Sequence, residues 1–144
     1  MEQLDEIFKG IGARGTAPAT LIACLFTGSA PPAAATPMPR DPSPATGAPL
    51  DGGFADEICA ALAINSAVHD GAILFGRPAD GEIYRVFGWS YRLFPSARGE
   101  GGAVNRGSAF HSCWAMSLEP DVDAAYLVSQ GRSYRFVLGG VTEL

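Results

Sequence analysis

The tetrapeptide His69-Asp70-Gly71-Ala72 places a carboxylate and a turn glycine directly before the apolar run at residues 72–75. Asp-Gly is a turn signal, and the apolar run predicts a buried strand. A carboxylate at the start of such a strand can hold a divalent cation or a ribose hydroxyl. The alternative is an aspartate that only caps the turn. His69 is interpreted as a structural histidine that bonds the backbone near the turn.

A second stretch, Asn105-Arg106-Gly107-Ser108, leads into a predicted helix. The first amides of a helix have no intrahelical partners and carry partial positive charge. A glycine there lets the backbone approach a phosphate, and the hydroxyl of Ser108, the predicted helix cap, adds a donor. A carboxylate that binds Mn²⁺ or Mg²⁺, opposite amides that bind phosphates, predicts a metal–nucleotide site.

Other side chains near the two stretches are candidate ligand contacts. Arg92 and Arg106 are predicted phosphate partners, with solvent-exposed charge as the alternative. His111, in the first turn of the predicted helix, either contacts a phosphate or base or belongs to the core. Trp89 and Tyr91 could stack on a base, although aromatic side chains on strands are more often core residues.

Three further side chains are assigned no ligand. Trp114 is predicted to lie in the core because it shares helical spacing with Phe110 and Leu118. Arg132 and Arg135 fall in a predicted terminal hairpin and are assigned to the surface.

Helical and strand-like segments alternate along the chain, which favours a mixed α/β (α+β) domain. Helical spacing marks residues 2–10, 54–64 and 108–119, and Gly10 is expected to begin the glycine-rich end of the first helix. Apolar runs predict strands at residues 19–27, 72–76, 83–94, 124–130 and 133–140. We therefore predict a single domain over residues 1–144, with helices packed on a central mixed sheet.

Residues 28–53 differ from the rest of the chain because they contain seven prolines. Proline lacks an amide donor, so neither a helix nor a central strand is expected there. We predict a long, mobile, partly extended loop inside the domain. Asp80-Gly81 predicts a hairpin turn, and Gly88 predicts a bulge or bend in the strand that follows.

The composition limits the possible classes of function. Hydrophobic residues make up 47% of the 144 residues, charged residues 17%, and the net charge is −5. A chain with this charge lacks the basic stripe that a nucleic-acid polymer requires, but one or two arginines can still hold a small anion. No apolar run reaches the length of a membrane span. The cysteines form no Cys-x-x-Cys pair, which predicts reduced thiols and a cytoplasmic protein.

The stretch "AVHDGAILF", residues 67–75, resembles the Asp-Gly-Ala segment of diadenylate cyclase domains, which make cyclic di-AMP from two ATP molecules. The resemblance continues in order through "LIACLF", "FADEICAALAINS", "GWSYRLFPS" and the last third of the chain, from "NRGSAFHSCW" to "SYRFVLGG". It covers nearly the whole chain, with the proline-rich stretch as an apparent insertion or replacement.

The resemblance implies a role for each matching residue. The aspartate of the family's Asp-Gly-Ala serves the metal and the attacking 3′-hydroxyl, and that position is Asp70. Leu93 falls where a leucine lies against the adenine, and Gly107-Ser108 falls on the family's Gly-Thr. With the candidates above, the predicted ligand-binding residues are Asp70, Gly71, Ala72, Leu93, Arg106, Gly107, Ser108 and His111, and Asp70 is the predicted metal ligand and, in an active enzyme, the catalytic residue.

The chain departs from the family where the triphosphate binds. The family's Arg-His-Arg falls on Ala109, Phe110 and His111, so two of the three positions carry no charge. Phosphoryl transfer depends on positioned positive charge around the phosphate oxygens. The resemblance therefore implies a non-catalytic or weakly catalytic domain that binds a nucleotide, foremost a cyclic di- or oligonucleotide second messenger, as a sensor.

Two other functions stay open at this point. A divergent cyclase would condense two nucleoside triphosphates with a divalent metal, with Arg92, Arg106 and His111 replacing the missing cations. An assembly module would have lost the ligand and would act through its proline-rich loop. Because family members face one another across the ligand, the resemblance also implies a homo-oligomer, and a lone sensor domain implies a separate effector protein. A role in nucleotide signalling or antiviral defence would fit such a sensor by analogy.

Overall fold

The computed structural model describes residues 1–15, 18–97 and 107–144, and within them it shows a seven-stranded mixed sheet flanked by three α-helices. The helices are α1 (Glu2–Arg14), α2 (Phe54–Ile64) and α3 (Ser108–Met116), and a short 3-10 helix covers Ser66–His69. The strands are β1 (Thr20–Thr27), β2 (Ala35–Pro37), β3 (Ala72–Arg77), β4 (Arg85–Leu93), β5 (Ala124–Ser129), β6 (Arg132–Val137) and β7 (Gly140–Glu143). The predicted mixed α/β class is confirmed.

The strand order across the sheet is β2-β4-β3-β1-β5-β6-β7. Strands β1 and β3 pair in parallel, whereas the other neighbours pair antiparallel. The parallel pair requires a long crossover, which the proline-rich stretch and α2 provide. As a result, the first residues of β1 and β3 and the last residues of β4 meet at one edge of the sheet.

Strand β1 lies at the centre of the sheet and is buried on both faces, as its continuous apolar run predicted. Leu21 and Leu25 point into the core beneath α1 and α2. Cys24 and Phe26 point into the core beneath α3. The sheet therefore separates two cores, with α1 and α2 on one side and α3 on the other. Within the described residues, no helix has both the length and the hydrophobicity needed to cross a bilayer.

Helix α1 is longer than its glycines predicted. It was expected to end at Gly10, but it continues through Gly12 to Arg14 and ends at Gly15 in the left-handed conformation. Gly12 is retained inside the helix because α1 approaches β6 closely there: a Cβ atom on Gly12 would lie 2.8 Å from the Ser133 hydroxyl oxygen. Close packing, rather than helix termination, explains this glycine.

The proline-rich stretch is packed against the sheet, and the prediction of a mobile loop was wrong in that respect. Residues 35–37 form the edge strand β2, which pairs with β4. Further along, the Trp89 indole donates to the Ala45 carbonyl at 3.0 Å, and the Leu50 amide donates to the Tyr84 carbonyl at 2.8 Å. The stretch therefore covers the edge of β4, a position where proline is tolerated because one side needs no donors.

Arg135 is half-buried, although it was assigned to the surface. Its guanidinium bonds the Asp5 carboxylate, which also accepts a hydrogen bond of 2.9 Å from the Tyr126 hydroxyl. The side chain of Asp5 is only 16% exposed and that of Arg135 only 23%. Arg132, by contrast, is exposed as predicted and lies 3.8 Å from Glu143. The Asp5 carboxylate thus links α1 to β5 and β6.

We expect Asp5→Ala to lower the free energy of unfolding by about 2 to 3 kcal/mol, because it leaves a half-buried guanidinium and a buried hydroxyl without their acceptor. The matched control is Asp56→Ala, which removes a 72% exposed carboxylate that lies 2.5 Å from Arg14. That exposed pair should contribute less than about 1 kcal/mol. Urea unfolding of both variants measures the difference, and equal losses would contradict this account.

The three cysteines should differ in reactivity. Burial raises the pKa of the Cys24 thiol to about 12 and raises that of Cys113 well above its usual value. Cys59, on α2, is only half-buried. Because the thiolate is the reactive form, iodoacetamide at pH 8 should modify one site in the folded protein and three after unfolding in urea. Mass spectrometry counts the adducts, and rapid modification of Cys24 without unfolding would contradict the prediction.

Candidate functional site

A cavity of about 260 Å³ lies at the sheet edge where β1 and β3 begin and β4 ends. Its walls come from five elements: β1, the stretch after β2, the start of β3, the end of β4 and the first turns of α3. The lining residues are Ile22, Met38, Asp70, Gly71, Ala72, Tyr91, Arg92, Leu93, Ser108, Ala109 and Ser112. Five of the eight predicted ligand-binding residues therefore line one cavity.

Gly71 fixes the distance between the start of β3 and the backbone of β4. Its φ is +86°, and a Cβ atom there would lie 2.8 Å from the Tyr91 carbonyl oxygen and 2.6 Å from the Met38 methyl group. Only glycine satisfies both the left-handed backbone and the close approach. The turn glycine predicted from the sequence thus has a second role, because it lets β4 and the segment after β2 close around Asp70.

A bulge in β4 turns the end of this strand toward the cavity. The register with β3 shifts between Ala72 and Leu74, so that β4 contains an extra residue there. Ser90, at the bulge, is fully buried and has a φ of 59°. Trp89 consequently points into the core under α2, whereas Tyr91 points into the core under α3. Without the extra residue the two rings would lie on the same face.

The carboxylate of Asp70 is 69% exposed and forms an ion pair with Arg40, with 3.5 Å between Arg40 Nη2 and Asp70 Oδ2. Arg40 belongs to the proline-rich stretch. Across residues 1–15, 18–97 and 107–144, no backbone amide donates to the Asp70 side chain, so this carboxylate does not act as a turn cap there. The preceding 3-10 helix is capped at its start by Asn65, whose side-chain oxygen accepts from the Ala67 amide at 3.0 Å.

The described residues offer few side-chain ligands to a metal ion at Asp70. No group of three or more His, Cys, Asp or Glu side chains converges in the part of the chain that the structure describes. Asp70 is also the one carboxylate among the residues that line the cavity. Mg²⁺ is often held by one or two carboxylates together with substrate phosphates. A Mg²⁺ or Mn²⁺ ion at Asp70 would therefore need further ligands from water or from a bound molecule.

The start of α3 matches the prediction only in part. Ser108 lines the cavity, but it is the first helical residue, and Gly107, with φ +88°, occupies the cap position. Phe110 is buried between the rings of Tyr134 and Phe136, so it belongs to the core. Phe110 thus packs in the core and does not line the cavity.

His111 lies outside this cavity and lines a neighbouring one of about 380 Å³. The two cavities share Leu93 and Ser112 as lining residues. Arg106, the remaining predicted phosphate partner on this side, lies outside the described residues. The described part of α3 therefore places no arginine or lysine beside Asp70.

The other predicted side chains fall into three groups. His69 makes the predicted backbone contact, since its Nδ1 lies 2.6 Å from the Ser66 carbonyl oxygen. Arg92 is exposed, lines the cavity, and forms no ion pair among the described residues. Trp89 is a core residue whose ring stacks on that of Phe54 at 6.1 Å between centroids, as expected for an aromatic side chain on a strand.

Tyr91 belongs both to the core and to the cavity wall, and burial raises the pKa of its hydroxyl. Trp114 was predicted to be a core residue with Leu118 beside it. Instead Trp114 is half-buried and lines the neighbouring cavity, and Leu118 is 41% exposed. Helical spacing alone could not show that α3 ends at Met116, before Leu118.

Sequence reasoning missed Arg40, Met38 and Ser90, which contact Asp70 or Gly71. Arg40 and Met38 lie about thirty residues before Asp70, in a stretch that was expected to be a loose loop. Ser90 carries no chemical signal in the sequence, because its role depends on the bulge. One signal was present: Arg40 is the sole charged residue in the stretch 28–40, whose other residues are apolar or small.

No protein-family model and no curated protein matches the chain. Its fold is similar to two solved structures. The first, a Bacillus cereus protein described as a hypothetical membrane spanning protein, has a TM-score of 0.68 and 14% identity over 99% of this chain, which spans 62% of that protein's length. The second is DacA from Staphylococcus aureus, in a double cysteine mutant. It has a TM-score of 0.55 and 13% identity, and the match covers 99% of this chain and 85% of the DacA chain. At these identities the similarity shows a shared fold alone.

Gly71 and Gly81, which each follow an aspartate, provide a matched test of the site's packing. Gly81 has a φ of +84°, close to that of Gly71, but no atom lies within 4 Å of a Cβ placed there. We expect Gly81→Ala to cost about 1 to 2 kcal/mol of unfolding free energy, from backbone strain alone. Gly71→Ala should cost about 2 kcal/mol more, because it also clashes with β4. Urea denaturation decides, and equal costs would show that the approach to Tyr91 does not constrain the fold.

Proposed function

We propose that this domain is a diadenylate-cyclase-like domain that binds a nucleotide, foremost a cyclic di- or oligonucleotide, as a sensor and without turning it over. One observation carries the proposal: Asp70, Leu93 and Ser108, which are far apart in the chain, line the same cavity. These are positions that the resemblance to diadenylate cyclase domains selects. The fold similarity to DacA, a diadenylate cyclase, adds support.

The chemistry of the cavity suits binding better than phosphoryl transfer. Ala109 and Phe110 replace two cations on α3, and Phe110 is committed to the core. A cyclic dinucleotide carries two phosphodiester charges, whereas catalysis on ATP requires a triphosphate and its metal to be held in line. Leu93 and Tyr91 offer an apolar wall to a base, and the Ser108 hydroxyl and the first amides of α3 face a phosphate.

The volume of the cavity limits how much of a ligand it can hold. Its volume of about 260 Å³ is slightly below the roughly 300 to 1,000 Å³ of typical small-molecule pockets. It therefore suits one nucleotide unit of a larger ligand, and the rest of the ligand would lie against another surface. A second copy of the chain across the ligand provides that surface in this proposal, and an effector protein would recognise the loaded assembly.

The first test is calorimetry and thermal shift with cyclic di-AMP, cyclic di-GMP and cyclic oligoadenylates, each with and without Mn²⁺. Binding to the folded state should raise the melting temperature. Asp70→Ala should weaken binding about 10- to 100-fold, because a hydrogen bond to a charged group is lost. The control is Asp80→Ala, in a second Asp-Gly pair outside the cavity: its carboxylate is 94% exposed and lies 3.2 Å from Arg77. It should leave binding unchanged.

A second measurement separates a sensor from a cyclase. The protein is incubated with ATP or GTP and Mn²⁺, and the products are analysed by mass spectrometry. A sensor leaves the triphosphates unconverted. Formation of a cyclic dinucleotide would replace this proposal with the divergent cyclase. Absence of binding to every nucleotide tested would leave the assembly module as the remaining candidate.

A further inference from the structure

Arg40 is the cation that the structure holds most firmly beside Asp70. Its side chain is only 20% exposed. The Nε–H donates to the Ser90 hydroxyl oxygen at 3.2 Å, and Nη1 donates to the Pro39 carbonyl oxygen at 3.4 Å. The backbone around it is also fixed, since the Met38 amide donates to the Ser90 carbonyl at 2.9 Å. The guanidinium is therefore positioned before any ligand arrives.

Another anion can replace the Asp70 carboxylate as the partner of Arg40 at little cost in free energy. The distance of 3.5 Å is long for a charge-assisted hydrogen bond, and the Asp70 side chain is 69% exposed. A long ion pair with one exposed partner contributes little to stability. Arg40 keeps its bonds to Ser90 and Pro39 when the pair opens, and an arginine can bind two phosphate oxygens at once.

We propose that Arg40 is a phosphate-binding residue of the Asp70 cavity, and that the proline-rich stretch supplies the cation that α3 lacks. This inference rests on the proposed function, because it names the group that would hold a phosphate of the nucleotide. While no ligand is bound, the guanidinium pairs with Asp70, which lines the cavity. A phosphate then takes the place of the carboxylate on Nη2.

The proline-rich stretch has the physical properties that this role needs. A binding side chain on a flexible loop would lose conformational freedom when the ligand binds, which weakens affinity. Here the loop is held along β4, and the Asn65 side chain donates to the Pro42 carbonyl at 3.0 Å, next to the turn that carries Asp70. The ordering cost is met during folding, so that Arg40 acts as part of a rigid wall.

The test compares Arg40→Gln with Arg77→Gln. Arg77 is a matched control because its side chain is also 20% exposed and pairs with an exposed aspartate, Asp80, away from the cavity. Arg40→Lys keeps the charge but loses the planar fork. The probes are cyclic di-AMP and inorganic pyrophosphate, titrated by calorimetry in buffer with a chelator, after the fold of each variant has been checked by thermal melting.

We expect Arg40→Gln to weaken binding of both probes about 10- to 100-fold, Arg40→Lys to lose less, and Arg77→Gln to match the wild type. Asp70→Asn should tighten metal-free pyrophosphate binding by up to about 5-fold, because it removes the competing carboxylate. Weaker pyrophosphate binding by Asp70→Asn would overturn the exchange of partners on Arg40.

The outcomes separate this inference from the proposed function. Tight cyclic di-AMP binding that is unaffected by Arg40→Gln would overturn the role of Arg40 and leave the sensor intact. Pyrophosphate binding that depends on Arg40, without binding of any nucleotide, would retain Arg40 as an anion-binding residue and remove the sensor. A wild-type protein that binds neither probe would overturn both.

Discussion

The approach of Gly71 to the backbone of β4 sets the geometry on which the candidate site depends. A Cβ atom there would lie 2.8 Å from the Tyr91 carbonyl oxygen, so any other residue would push β3 and β4 apart at this point. The contact places Asp70 beside Ser90 and Met38, and through them beside the proline-rich stretch. Because β4 bulges at Ser90, the same contact also directs Tyr91 and Leu93 toward α3. One glycine thus connects the turn, the bulge and the cavity.

The two faces of the sheet serve different purposes. Beneath α1 and α2, the buried polar groups are paired with one another: Thr27 and Tyr84 donate to Asp123 at 2.6 and 2.7 Å, and Tyr126 donates to Asp5. Burial raises the pKa of both tyrosines further above the physiological range, so they remain neutral donors. On the α3 side, the buried Ser117 is paired as well, whereas Asp70 is exposed at the open edge of the sheet. Polar groups that are paired stabilise the fold, and those left open are available to a ligand.

Local patterns in the sequence were sufficient for the elements and for part of the site. Helix α2 was predicted with its observed bounds, since Phe54, Ile58 and Ala61 keep helical spacing and face the core. The Asp70 turn and its glycine were also recognisable. Strand β2 and the position of Arg40 were not, because pairing along an edge is decided by contacts between residues about fifty positions apart. Proline content indicated only that the stretch was neither a helix nor a central strand.

The sequence pattern and the structure give complementary information on where the charged side chains near the cavity lie. In the sequence, Ala109 and Phe110 suggest that a phosphate site has been lost. The pattern within one helix does not show which charged side chains other elements bring to the same place. In the structure, Phe110 completes a core cluster with Tyr134 and Phe136, which a charged side chain could not do without a large desolvation cost. Under the proposed function, a cation for the cavity has to lie outside this core cluster, as Arg92 at the end of β4 and Arg40 do. The proline-rich stretch at the sheet edge meets that condition, because its backbone is fixed by β4 while the Arg40 guanidinium stays beside Asp70.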